Sequence, residues 1–362
     1  MIGLLAGVLL ASAPCDAAWP LLTRYAQAFV SADGRVIDRT AGDRTTSEGQ
    51  GYAMFFALVA NDRALFQRIL AWTEQNLAHG DLGRNLPAWH WGKRRDGSWG
   101  VVDRNAASDA DLWIAYDLLE AGRLWSDARI SALGQRVLEN VAAHELADIP
   151  GFGISLLPGP AGFAISGGFR LNASYAPPQL LRRFAQLGGP WEAVRRSSLR
   201  MLQMFAAGGA VPDWAFAKGG QLRTDPVQGR VASYDSIRVP LWIGMMPERD
   251  AQLDRVAAGL LAALEQTGKL PERLDARSLQ GKGEGPPGFY AALVPIAPPE
   301  RRSLLEARVA SAGKGGLYGD PPAYYDQNLI LFAQGFSEGR YRFRGDGALV
   351  PAWETRCLGR AP

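Results

Sequence analysis

In Thr46-Ser47-Glu48-Gly49-Gln50-Gly51-Tyr52-Ala53-Met54, Ser47 is followed three residues later by Gln50, just before the apolar residues Phe55, Phe56, Leu58 and Val59. That spacing is a capping box and predicts a helix over 47–60 with Glu48 as its first helical residue. Gly49 and Gly51 each cost a helix interior roughly 1 kcal/mol against Ala, so two in one turn imply close approach of another group to this backbone. Glu48 itself has two readings. It is a first-turn carboxylate favoured by the helix dipole, or it is a catalytic acid, which requires a second carboxylate elsewhere.

Outward from this stretch, apolar residues keep helical spacing along most of the chain. They predict further helices near 20–31, 62–78, 109–122, 127–144, 177–187, 190–206, 236–246, 249–267, 287–297, 299–312 and 323–335. Most fall in close pairs joined by short links such as Asn61-Asp62 and Gly188-Gly189. The long segments 79–108, 145–176, 207–235 and 268–286 are rich in Gly, Pro and Trp, with only brief strand-like pieces such as Trp99-Gly100-Val101-Val102. Paired helices with long connections predict an all-α ring whose loops build a groove on one face. No linker divides the chain, and no close sequence repeat occurs.

The 362 residues are 47% hydrophobic and 21% charged, which excludes general disorder and provides for a large core. A net charge of +3 with basic residues interleaved among acids excludes a nucleic-acid partner and suits a neutral substrate. The apolar run Ile2 to Ala13 is too short to span a bilayer but fits a signal-peptide core, although no Lys or Arg precedes it. Residues 1–18 are therefore read as a signal peptide, cleaved after Ala13 or Ala17, and 19–362 as one catalytic domain, exported to the periplasm or secreted. Cys15 and Cys357 either form one bridge between the termini or, if Cys15 leaves with the signal, Cys357 stays free.

A second carboxylate motif is Ala107-Ser108-Asp109-Ala110-Asp111-Leu112-Trp113-Ile114-Ala115-Tyr116, continuing to Trp125. Ser108 and Asp111 form another capping box ahead of an apolar face at 112, 115, 116 and 119. Asp109 is left without a structural task, as a second dipole-stabilising acid or a ligand-facing one. The third motif is Ser233-Tyr234-Asp235-Ser236-Ile237-Arg238-Val239-Pro240. Pro240 is tolerated only near a helix start, which places Tyr234, Asp235 and Arg238 at or before the first turn. The plain alternative is a surface Asp235–Arg238 ion pair of little consequence. Three helix starts each present an acid, and two place Tyr close by.

These segments resemble glycoside hydrolase family 8. Ala107 to Trp125 is similar to that family's signature, and Glu48 in Ser-Glu-Gly-Gln-Gly-Tyr and Asp235 in Tyr-Asp-Ser-Ile-Arg fit its other motifs. The likeness runs from about Trp19 to Trp353. Leu86-Pro87-Ala88-Trp89-His90-Trp91-Gly92-Lys93 and Leu118 to Trp125 resemble its subgroup of periplasmic endoglucanases encoded with bacterial cellulose synthase. The resemblance implies an (α/α)6 barrel and inverting hydrolysis of β-1,4-glucan, with Glu48 as general acid and Asp235 as general base. It implies that Asp109 holds and distorts the sugar just before the scissile bond, while Tyr234 and Arg238 orient Asp235 or bind sugar hydroxyls. At Asn172-Ala173-Ser174-Tyr175 the chain departs from relatives that commonly carry Pro in place of Ala173.

A glucan groove needs aromatic platforms for the apolar faces of the sugar rings. Trp89, Trp91, Tyr175, Tyr324 and Tyr325 are the candidates, each with core packing as its alternative. Asp111 is added as a further substrate-binding acid beside Asp109, and Trp113 and Trp242 are assigned to the core. A helix start lowers a carboxyl pKa, so burial under glucan or the charge of Asp109 must raise that of Glu48, and the three acids should titrate together. His79, His90 and His144 lack metal-ligand spacing, and no cofactor is expected. The expectation is a monomeric endo-β-1,4-glucanase that trims nascent cellulose, with the synthase export complex as a candidate partner. The alternatives are the same fold acting on β-1,3-1,4-glucan, xylan or chitosan, and a non-catalytic glucan-binding partner of the synthase.

Overall fold

Two kinds of helix build the fold, and the burial of their faces separates them. Ser47–Val59 and Ser108–Leu124 are buried on nearly every side, whereas Ala128–His144 buries only a stripe at Gly134, Val137, Leu138 and Val141. A helix apolar all round belongs in an interior and a striped one at the surface of a core. A ring of the first kind must therefore sit inside a ring of the second.

The computed structural model describes residues 18–248 and 250–354, so the signal segment and both cysteines lie outside the described residues. Its α-helices are α1 Pro20–Phe29, α2 Ser47–Val59, α3 Arg63–Leu77, α4 Ser108–Leu124, α5 Ala128–His144, α6 Pro178–Ala185 and α7 Trp191–Gly208. They continue with α8 Arg238–Gly244, α9 Ala251–Asp254, α10 Ala258–Thr267, α11 Pro287–Leu293, α12 Pro299–Ser311 and α13 Tyr324–Ser337. Helices α2, α4, α6, α8, α11 and α13 touch in that order and α13 returns to α2, which closes the inner ring. The outer partners are α3, α5, α7, the α9–α10 segment, α12 and, closing the circle, α1. This is the (α/α)6 barrel.

Helix boundaries follow the expected ones within a few residues, with one exception. The helix expected over 249–267 is broken by a 3₁₀ turn at Arg255–Ala257 between α9 and α10. Past that turn, Gly259 N donates to Gly209 O at 2.7 Å, a bond that ties the segment to the end of α7. Closest approach between pair members also rests on glycine. A Cβ on Gly122 of α4 would lie 2.6 Å from Ser131 N, and one on Gly134 of α5 would lie 2.9 Å from Leu119 N.

The connections hold most of the short strands, and a hairpin of Tyr341–Phe343 and Leu349–Pro351 follows α13. Thr45–Thr46, His90–Lys93 and Trp99–Asp103 form one antiparallel sheet, pairing Thr46 with His90 and Thr45 with Trp91. Ala164–Ile165, Gly168–Leu171, Ala215–Lys218 and Gln221–Thr224 form a second, joining the 145–176 and 207–235 segments. These sheets give the loops fixed positions around the barrel mouth. The barrel axis is filled by rings from four inner helices. Trp113, Trp242 and Phe332 meet pairwise at centroid distances of 5.4, 5.1 and 5.1 Å, with Tyr52 at 5.0 Å from Phe332. Trp113 and Trp242 are core residues, as expected. Each such pair adds roughly 0.5–1.5 kcal/mol beyond its area burial, and together they make a rigid floor.

Candidate active site

The floor ends at Tyr52, whose hydroxyl accepts from Arg238 Nη1 at 3.2 Å. Arg238 opens α8 and is only 2% exposed. A guanidinium taken out of water needs carboxylates around it, and it has three from three helix starts. Nη1 donates to Glu48 Oε2 of α2 and, at 2.8 Å, to Asp109 Oδ2 of α4. Nη2 donates to Asp235 Oδ1 at 2.8 Å and to Ser174 Oγ at 2.9 Å. The Asp235–Arg238 pair is therefore no surface bridge but one arm of a buried clamp.

The start of α2 differs from its expected form. Thr46, not Ser47, is the N-cap, accepting from Gly49 N at 3.2 Å, and Glu48 becomes the second helical residue. Gln50 does not reach back to cap. It turns inward, accepting from Val36 N at 2.6 Å and donating to Thr73 Oγ1 at 2.9 Å. The two glycines admit neighbouring helices. A Cβ on Gly49 would lie 3.1 Å from the Tyr324 ring, and one on Gly51 would lie 3.4 Å from Ile114 and Trp113. At α4 the cap is Ala107, with no side-chain bond, so the Ser108–Asp111 box does not form either.

A cavity of about 610 Å³ opens over the clamp. Glu48, Asp109, Asp235, Arg238, Tyr234, Trp89, Tyr175, Tyr324 and Tyr325 all line it. Two expected substrate contacts do not. Asp111 is fully buried against Glu145, because residues two apart on a helix point in nearly opposite directions, so the turn that aims Asp109 at the cavity aims Asp111 into the α4–α5 interface. Burial and that neighbour push the Asp111 carboxyl up, and burial pushes Glu145 to about 8. Trp91 lies opposite Thr45, on the strand face away from Thr46 and the cavity. Its ring stacks on Trp99 at 5.4 Å beneath the Arg35 guanidinium, 4.2 Å away.

The remaining aromatic candidates differ in how free they are. Tyr324 is buried with its hydroxyl 3.2 Å from Thr46 Oγ1. Tyr325 donates its hydroxyl to Tyr234 O, and the exposed Tyr234 donates to Glu272 Oε1 at 3.0 Å. Tyr175 sits in a 3₁₀ turn, Ala173–Tyr175, that Asn172 caps by accepting from Ser174 N at 3.0 Å. Ser174 in turn binds Arg238, and its carbonyl accepts from Trp242 Nε1 at 3.0 Å. That network holds the turn with Ala at 173.

Electrostatics separate the two outer carboxyls. Burial, helped by Asp109 and opposed by Arg238, pushes Glu48 up to about 8. Burial pushes Asp235 only to about 6, with Arg238 opposing. Burial thus raises Glu48 further than Asp235, and the two carboxyls sit on different nitrogens of one guanidinium. Burial by the protein itself, not by a bound chain, is the largest cause.

Asp38, Arg44 and Asp326 also line the cavity and were not anticipated. Asp326, pushed by burial to about 7, sits in the first turn of α13, so the rule that located the other acids at helix starts extends to it. Asp38 and Arg44 belong to an irregular segment with no comparable signal. Among the described residues no group of His, Cys, Asp and Glu has the arrangement of a metal site.

Known proteins share this architecture. The model of Glycosyl hydrolases family 8 matches residues 2–339. An endoglucanase of Escherichia coli O157:H7 is 42% identical, covering 98% of this chain and 97% of its own. An endoglucanase of Xanthomonas axonopodis pv. citri (strain 306) is 44% identical over 93% of this chain and 90% of its own. The solved structure of an endo-1,4-D-glucanase from Vibrio fischeri ES114 superposes with a TM-score of 0.87 at 37% identity, covering 93% of this chain and 99% of that one.

Proposed function

The chain belongs to glycosyl hydrolase family 8, and from that premise we propose how it acts: it is an endo-β-1,4-glucanase that works by inversion, with Glu48 as general acid and Asp235 as general base. The observation that carries the assignment is the convergence of Glu48, Asp109 and Asp235 on the one buried Arg238 at the cavity floor, and burial pushes Glu48 further up than Asp235. Glu48 gives its proton to the glycosidic oxygen as the C1–O bond breaks. Asp235 takes a proton from a water whose oxygen bonds C1 from the opposite face, leaving a new reducing end of inverted configuration. Solvent then returns a proton to Glu48 and removes one from Asp235. Inversion requires roughly 6.5–9.5 Å between the carboxyl groups, and Glu48 and Asp235 bind different nitrogens of the guanidinium. Asp109, beside Glu48 on Nη1, holds the sugar preceding the scissile bond and keeps the acid protonated.

Trp89, Tyr175 and Tyr325 support the sugar faces along the cavity, and Tyr234 extends it at the rim. The apolar run Ile2–Ala13 supports export to the periplasm or medium; among the described residues no helix is long and apolar enough to cross a membrane. Likeness to endoglucanases encoded with cellulose synthase supports trimming of nascent glucan during its export, by a monomer. Proton NMR of cellopentaose turnover tests the mechanism. The α-anomer should appear first at the new reducing end, and Glu48→Gln and Asp235→Asn should each lower kcat by about 10²–10⁴ with the fold intact. Initial β-anomer would reject inversion.

A further inference from the structure

Asp213 is a buried carboxylate outside the cavity, in the connection between α7 and α8, and it is 4% exposed. Its Oδ1 accepts from Ser233 N at 2.7 Å and from Ser236 N at 2.9 Å, and its Oδ2 accepts from the Ser233 hydroxyl. Its own N–H donates to Val231 O at 2.7 Å. The two residues it grips are the outer residues of the Ser233-Tyr234-Asp235-Ser236 turn, so Asp235 is held from both sides. Those N–H groups precede α8, where donors have no helical partner and need an acceptor. The next residue, Trp214, packs edge-on against Tyr175 at 6.1 Å and stacks on Phe163 at 5.8 Å. One dipeptide thus braces both the turn of the base and a cavity aromatic.

We infer that Asp213 is the positioning residue of the general base, fixing the 233–236 turn so that Asp235 faces the cavity while its charge tunes that base through space. The inference rests on Asp235 being the base. Asp235 is faced by Arg238 from α8, Asp109 from α4, Glu48 from α2 and Tyr325 from α13, with Asn172 and Tyr175 from the loop beside it. Arg238 and Asn172 favour its ionised form, while Asp213, from the α7–α8 connection, and Asp109 oppose it. Asp213 touches no substrate, since it does not line the cavity.

Two variants separate the bonds from the charge, with cellopentaose as substrate. Asp213→Asn keeps Oδ1 as acceptor for both N–H groups, offers Nδ2 as a donor to the Ser233 hydroxyl in place of the Oδ2 acceptor, and loses the charge. It should keep kcat within about threefold at neutral pH, and the acidic limb of kcat/KM should move down by about half a pH unit or more, because Asp235 then ionises more readily. Asp213→Ala loses the bonds as well, and its kcat should fall about tenfold or more with KM within about twofold. An unmoved acidic limb in Asp213→Asn overturns the inference, as does full kcat in Asp213→Ala. If Asp213→Ala fails to fold, the limb of Asp213→Asn decides alone. Absence of wild-type turnover would overturn the glucanase reading and this inference together, whereas wild-type turnover with an unmoved limb overturns this inference only.

Discussion

Asp109 Oδ2 lies 2.8 Å from Arg238 Nη1, a contact that joins the start of α4 to the start of α8 across 129 residues of chain. Because Arg238 also binds Glu48 and Asp235, one cation gathers all three acids and opposes the upward push that burial gives Glu48 and Asp235. Arg238→Gln should therefore lower kcat by about a hundredfold or more. Since Arg238 holds both outer carboxyls down, its loss should move the acidic limb of kcat/KM to higher pH. Reducing-sugar assays across pH, with circular dichroism to follow the fold, check both effects.

The wild-type kcat/KM profile reports the acid and base of the free enzyme. Activity should be lost as pH falls through about 6, where Asp235 takes up a proton, and as pH rises through about 8, where Glu48 loses one. Rates with soluble cello-oligosaccharides measure the bell. An alkaline limb that never falls would remove Glu48 as the proton donor.

Capping at α2 is testable by stability. Thr46→Ala should cost about 1 kcal/mol, whereas Ser47→Ala should cost little, because the Ser47 hydroxyl has no hydrogen-bond partner among the described residues. Gln50→Leu leaves Val36 N–H and the Thr73 hydroxyl without their shared partner, and at about 1–3 kcal/mol for each buried group it should cost about 2–6 kcal/mol. Urea midpoints order the three variants.

The Asn172–Tyr175 turn accepts a proline by its geometry. Asn172 has φ −130° and ψ 114°, within the region that a following Pro requires, and Ala173 opens a 3₁₀ turn whose φ matches a pyrrolidine ring. Ala173→Pro should raise stability by about 0.4–1 kcal/mol by restricting the unfolded chain. Thermal unfolding measures it, and kcat should stay unchanged because Asn172 and Ser174 already hold the turn.

Much of this was legible in the sequence for a local reason. Helical spacing and short links are local patterns, and they located the paired helices of the barrel within a few residues. Acids at helix starts are also local, which is why Glu48, Asp109 and Asp235 were found, and why Asp326 was within reach of the same rule. The broken 249–267 helix was not legible, since its continuous apolar pattern carries no sign of the bond from Gly259 to Gly209.

What spacing alone could not reveal is which partner each polar group takes. Gln50 and Asp111 have the spacing of capping residues, yet both turn inward, because the inner ring surrounds them with neighbouring elements and leaves no solvent to face. Trp91 has the spacing of a platform, and strand pairing with Thr45 turns it from the cavity. Sequence by itself determined the helices, their pairing and the acids at their starts. Only the tertiary structure decided that those acids share one buried guanidinium, because closing the ring brings residues 48, 109 and 235 to a single low-dielectric point around Arg238.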